Sequence, residues 1–310
     1  MDINESMNEL FVMYEYFLLG ANPKKSLYDE LEGQFQNEDP LEVISDFKAF
    51  ITEYKNNVFE SNNKLDYSFF YLRWSIYWKT IITSALHLGY NDIDELKRTV
   101  RRYFYLFWMA GFTLSRIKQT FFNLIKWLKA KRLINEIKQD LEISLKENKV
   151  YERVERALEG NIYQEAWCKP LLILLEYNNI DNPNFISLDD KNVHVEHVLP
   201  QRFNEVYGWK HIIEDDQHGA EKVHTLGNLT LLSGKKNIEA SNDSFENKVS
   251  IYSGEDKNSS SNQTSFRITQ KIYDDYNQKK FEKWDFSVIK SRKKDMLGQI
   301  HDIFELNLVK

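Results

Sequence analysis

Cysteine is almost missing from this chain. Cys168 is the only one in 310 residues. An intrachain disulfide is therefore impossible, a cysteine-rich zinc site is excluded, and a reducing cytoplasm is the predicted location. Long apolar runs are missing too. No stretch of roughly eighteen residues is apolar and uncharged, so no transmembrane helix and no membrane partner are expected. The opening "MDINESMNELFVMYEYFLLG" carries acids where a signal peptide needs a basic start. No GxxxxGK[ST] pattern occurs, and no other nucleotide site is visible. Net positive charge is absent: the formal balance is −6. A nucleic-acid partner would have to meet a local basic surface.

Proline and glycine are sparse, with five and eleven residues, and few of them interrupt the first 180 positions. Apolar residues there recur at helical steps, as in Leu10, Met13, Tyr14 and Phe17, then Val43, Phe47, Phe50 and Ile51. "YSFFYLRWSIYWKTIITSALHLGY" predicts one long helix stopped at Gly89, and Asn91 or Asp92 is placed to cap the next. Residues 1–180 are read as a helical domain whose many aromatics form its core. Acids are absent from Leu96 to Asn135, while Lys and Arg are frequent there. Arg98, Arg101, Arg102, Lys126 and Lys129 are the candidates for a phosphate-binding ridge. The alternative is a solvated face paired with acids of other helices.

"EAWCKPLLILLEYNN" predicts a last helix, with Cys168 a small buried hydrophobe. "IDNPNFISLDDKN" reads as a linker. Beyond it the texture changes, and five of the seven histidines fall between His194 and His224. Three pieces follow in order. "VHVEHVLPQ" is a strand ending in Glu196 and His197 before Pro200. "HTLGNLTLLS" is a second strand run containing Asn228. "GKKNIEASNDSFENK" has helical spacing and contains Asn237. Such a unit can do phosphodiester hydrolysis, which needs a base for water and a cation for the charge that develops on phosphate. His197 titrates in the range of a base near neutrality. Glu196 and Asn237 offer hard oxygens suited to Mg²⁺ or Mn²⁺. Asn228 can orient the imidazole or the loop beside it. His194 shares the Glu196 face of the strand and His224 precedes the second strand, so both are outer-sphere candidates. Alternation poses a problem: Glu196 and His197 should point to opposite faces unless the strand ends or twists there. Lys235, Lys236 and Lys248 are added as nucleic-acid candidates. "SGEDKNSSSNQTS" predicts a mobile loop. The tail returns to helical texture, with Trp284, Ile289, Met296 and Ile300 packing inward and a second basic cluster at Lys290, Arg292, Lys293 and Lys294.

"EHVLP", then "LGNLTLL", then Asn237 nine positions after Asn228, resembles the HNH nucleases of the ββα-metal fold. The finer text, "VEHVLPQ", "H-x-LGNLTLL" and "SNDSFENK", is similar to the C-terminal nuclease domain of GmrSD-type modification-dependent restriction enzymes. The resemblance is strongest from Val193 to Lys248. It implies His197 as general base, Glu196 and Asn237 at the metal-ligand positions, and Asn228 as the central positioning asparagine. It also implies cleavage of modified or phage DNA in a defence system, with a nucleotide-hydrolysing, modification-sensing partner domain or subunit. The zinc-stapling cysteine pairs of many HNH domains are absent, so Trp209, Leu229, Leu231 and Phe245 must supply the packing. The expected architecture is mainly α: a helical domain over 1–180, a ββα-metal nuclease core over 181–252, and a loop with C-terminal helices over 253–310. A non-catalytic DNA-binding or scaffold subunit, or an RNA-directed nuclease, is the alternative on the same fold.

Overall fold

The computed structural model describes residues 3–189, 191–213, 216–255 and 262–306. It is 66% helical with one two-stranded sheet, so the expected mainly-α class is what the chain adopts. Two compact units divide it, Met1–Val150 and Tyr151–Lys310.

The first unit holds α1 (Ile3–Leu19), α2 (Leu27–Phe35), α3 (Pro40–Tyr54, running into a π-helical turn Lys55–Phe59), α4 (Lys64–Phe69), α5 (Ser75–His87), α6 (Ile93–Met109), α7 (Leu114–Lys129) and α8 (Ile134–Glu147). Pro40 opens α3 behind an Asp39 cap, where a missing N–H costs nothing. Leu10, Met13, Tyr14 and Phe17 of α1 pack on Phe50 of α3, as the helical spacing predicts. The expected single helix over Tyr67–Tyr90 is two. Trp74 adopts a left-handed conformation (φ 60°) between α4 and α5. The chain folds back there because Phe69 and Phe70 then reach the Trp78 ring, at 5.1 and 5.7 Å between centroids. Gly89, at φ +63°, lies just past α5 as expected.

The second unit contains α9 (Val150–Glu159), which begins at its border, then α10 (Cys168–Asn178), β1 (His194–His197), α11 (Tyr207–Lys210), α12 (Asp216–Val223), a 3-10 turn (Leu226–Asn228), β2 (Leu229–Leu232), α13 (Gly234–Ala240), α14 (Phe245–Ser253), α15 (Arg267–Asn277) and α16 (Phe286–Phe304). The strands pair antiparallel, with Glu196 opposite Thr230 and His197 opposite Leu229. Every residue of β2 is buried. Trp209, Phe245, Trp284 and Ile289 form one core cluster, and Leu229 and Leu231 are buried as well.

The border lies earlier than the boundary expected at residue 180. α10 is the reason. Leu171 to Leu175 are all buried, so this helix has no polar face to turn to water. It packs against β2, α15 and α16 and is part of the second unit's interior. Its Glu176 carboxylate accepts the N–H groups of Arg267 and Ile268 at 2.7 and 2.9 Å, capping α15. Of the loop expected over Ser253–Ser265, positions 256–261 lie outside the described residues.

Candidate active site

β1 and β2 are short, and alternation within β1 decides what each side chain meets. Glu196 and His197 do point to opposite faces.

The His197 side is a cluster of rings. His197 is 6% exposed. Its Nε2 lies 3.0 Å from Nδ1 of His224, and its Nδ1 lies 3.5 Å from the Gln201 amide. The Tyr163 ring stands edge-on to His197 at 4.3 Å between centroids. Burial, with His224 and Lys248 adding to it, pushes the His197 pKa down to about 3. The ring is therefore neutral at physiological pH. His224 is lowered as well, by burial. His224, expected only as an outer-sphere candidate, lies in direct contact with His197.

The Glu196 side is an ion pair. Lys248 of α14 donates to Glu196 Oε1 at 2.6 Å and to the His197 carbonyl at 2.7 Å. The Tyr252 hydroxyl, one turn further along α14, donates to the same Oε1 at 3.0 Å. Burial raises the Glu196 carboxyl and lowers the Lys248 ammonium, and their attraction opposes both shifts. His194 lies on this face, two residues earlier, and not on that of His197.

Asn228 is fully buried and does not touch the imidazole. Its Oδ1 accepts the Leu199 amide at 2.7 Å and the Trp284 indole N–H at 3.0 Å. Its Nδ2 donates to the carbonyls of Leu199 and Val223, both at 2.8 Å. It thus ties the segment after β1, the end of α12 and the entry to α16 into one turn. Of the two roles open to it, holding the loop is the one seen. Arg292 completes this anchor, donating to the carbonyls of Gly227 and Leu229 at 2.9 and 2.7 Å. Burial lowers its pKa to about 10, which leaves it charged.

Asn237 sits on α13, whose N-terminus is capped by Ser233. Its Oδ1 is buried with no hydrogen-bond partner among the described residues. An orphaned amide oxygen on the helix after β2 fits a hard cation. Glu196 fits less well, because its Oε1 already faces an ammonium. Among the described residues no group of three or more His, Cys, Asp or Glu side chains is arranged to hold a metal.

Several nucleic-acid candidates are engaged elsewhere. Lys248 is buried in the pair just described, and Lys236 is buried with its Nζ on the Ile251 carbonyl at 2.5 Å. Neither can face a phosphate backbone. In the first unit, Arg102 pairs with Glu142 at 3.1 Å and Arg98 with Glu95 at 3.3 Å. Lys129 donates to the carbonyls of Phe17 and Leu18, closing the C-terminal end of α1. Arg101 is partly buried, while Lys126 and Lys235 are exposed. In the tail cluster Lys293 pairs with Glu159 at 2.5 Å. The acid-free window thus finds its acids outside itself, Asp66 on Lys97 among them.

Sequence reasoning missed Tyr163 entirely, since it lies beyond the motif and on the other side of the expected boundary. It read Lys248 as a nucleic-acid contact. The four-residue spacing of Lys248 and Tyr252 on one helical face was the available signal for a shared inward partner.

A two-stranded sheet followed by a helix, with a buried neutral histidine at the end of the first strand, defines a small ββα-type core. Residues 148–299, just under half of the chain, match the family model described as GmrSD restriction endonucleases, C-terminal domain. This stretch is therefore similar to a restriction-endonuclease domain, and nuclease is the activity the match supports. Comparisons with curated proteins and with solved structures return no match. No helix among the described residues is long and apolar enough to cross a membrane.

Proposed function

We propose that the second unit is an HNH-type endonuclease that hydrolyses phosphodiester bonds of foreign or modified DNA with the help of Mg²⁺ or Mn²⁺. The observation that carries this reading is His197, a buried imidazole at the end of β1 in a two-strand unit whose following helix, α13, carries a buried amide oxygen on Asn237 with no hydrogen-bond partner among the described residues. His197 takes the proton of the attacking water. Asn237 is the residue offered to the metal, which stabilises negative charge on the phosphate. Asn228 keeps the loop in place. Glu196 is an expected ligand by motif, and it serves here first as the buried partner of Lys248. Exposed Lys126 and Lys235 are offered to the DNA backbone. A nucleotide-hydrolysing, modification-sensing partner domain or subunit completes the proposed system, since no Walker-type motif occurs in this sequence.

The same ion pair favours a second reading. A subunit whose Glu196 is occupied by an internal lysine could bind DNA without cutting it. Supercoiled plasmid incubated with the full chain separates the two. The expected result is nicking with Mg²⁺ or Mn²⁺ and none in EDTA. His197→Ala should lower the rate by about two to four orders of magnitude with the fold intact. Nicking in EDTA would end the metal assignment, and an active His197→Ala would remove the base. DNA retention without any cleavage would favour the binding subunit.

A further inference from the structure

Tyr163 belongs to none of the motif pieces, yet it is built into the site. It lies in the segment between α9 and α10. The N–H of the preceding Ile162 donates to the His224 carbonyl at 3.1 Å. The Tyr163 N–H donates to Asn161 Oδ1, also at 3.1 Å. The segment is thus fastened to the backbone of the residue it meets. The Tyr163 ring lies almost parallel to the His224 imidazole, 14° between planes and 5.3 Å between centroids. The same ring meets His197 edge-on, at 4.3 Å and 62°. The two imidazoles stand 5.0 Å apart at 76°. Three rings therefore face one another pairwise.

This triangle fixes the use of the two nitrogens of His197. Nε2 is engaged with His224 Nδ1 at 3.0 Å. Nδ1 has only the Gln201 amide at 3.5 Å, at the outer limit of a hydrogen bond. In a neutral imidazole one nitrogen donates and the other accepts, and the partner of one decides the role of the other. Nε2 is thus the firmly held nitrogen, and Nδ1 is the one whose weak Gln201 contact a water can replace.

We infer that Tyr163 and His224 are positioning residues that hold His197 with its Nε2–H given to His224 and its Nδ1 lone pair presented to water. This rests on the endonuclease reading. In the step served, a water proton moves to Nδ1. The oxygen pair left behind forms the new bond to phosphorus, and the leaving oxygen departs with the electrons of the broken P–O bond, taking a proton from solvent.

The test uses the full chain labelled with ¹⁵N-histidine, whose long-range ¹H–¹⁵N correlations report tautomers, together with plasmid nicking in Mg²⁺. The expected signature of the unaltered protein and of Tyr163→Phe is an Nε2–H His197. Tyr163→Leu and His224→Ala should mix the tautomers and lower kcat by about 10–100-fold at nearly unchanged KM, whereas Tyr163→Phe stays within about twofold. His224→Gln, which restores a hydrogen-bonding group, should recover part of the loss. A protonated Nδ1 in the unaltered protein would overturn the inference. So would a wild-type tautomer and rate in both Tyr163→Leu and His224→Ala. If Tyr163→Leu does not fold, His224→Ala decides alone. If nothing nicks DNA, the endonuclease reading fails, while the tautomer still decides the positioning.

Discussion

At the residue scale, the pair of Lys248 and Glu196 is the most consequential departure from what the motif implies. Both side chains are almost fully buried. Removing one charge strands the other, which typically costs about 3–5 kcal/mol. Lys248→Met should therefore lower the unfolding free energy by about that amount, read by urea denaturation. The double variant Glu196→Gln with Lys248→Met should recover part of the loss. A single variant as stable as the parent would show that the ammonium is not needed there. Cys168 gives a second check. Burial pushes its thiol up to about 12, so the reactive thiolate is scarce at pH 8 and the sulfur is shielded. A disulfide reagent such as DTNB should titrate no thiol in the native protein and one per chain in denaturant. Fast native reaction would contradict the packing of α10.

At the element scale, the 3-10 turn before β2 is clamped to α16 with no space left over. A Cβ placed on Gly227 would come within 2.1 Å of the Ile289 carbonyl oxygen. That atom is backbone and cannot swing aside. Gly227→Ala should therefore push the helix and the Asn228 turn apart. Overpacking of this kind costs about 1–3 kcal/mol, and nicking should fall with it. Unchanged melting and activity would show that α16 shifts freely. The motif elements themselves were legible in the sequence, because strand alternation and a capped helix are local properties: β1, β2 and α13 fall on the three motif pieces. What Glu196, Asn228 and Tyr163 touch was not legible. Lys248 lies 52 residues beyond Glu196, Trp284 lies 56 beyond Asn228 and Leu199 lies 29 before it, and Tyr163 meets rings on two separate segments. No periodicity within a window reports such neighbours. The break at Trp74 was hidden for the same reason, since it depends on Phe69 and Phe70 reaching Trp78.

At the scale of the whole molecule, the charge segregation seen along the chain is largely undone in space. Arg102 has Glu142, Lys97 has Asp66, and Lys129 caps α1. Replacing Arg102 and Lys129 together by Ala should lower stability and leave the salt dependence of DNA binding as it was. Replacing exposed Lys126 and Lys235 instead should flatten the slope of log affinity against log salt, by roughly 0.9 for each phosphate no longer neutralised. A flattened slope in the first variant would restore the ridge to the DNA interface. The boundary misplacement at residue 180 belongs to this scale too. α10 reads as the end of a helical series, and only its lack of any polar face hints that it is the floor of the next unit.

The Asn228 turn has a consequence in time. Its side chain can bond Leu199 and Val223 early, but the set of contacts is complete only when the Trp284 indole arrives, 56 residues later in the chain, and Arg292 reaches the carbonyls on either side of the turn. A chain emerging from the ribosome thus has β1, β2 and α13 complete well before the turn between them is secured. A cell making this protein meets a fully anchored Asn228 turn only after α16 has been synthesised.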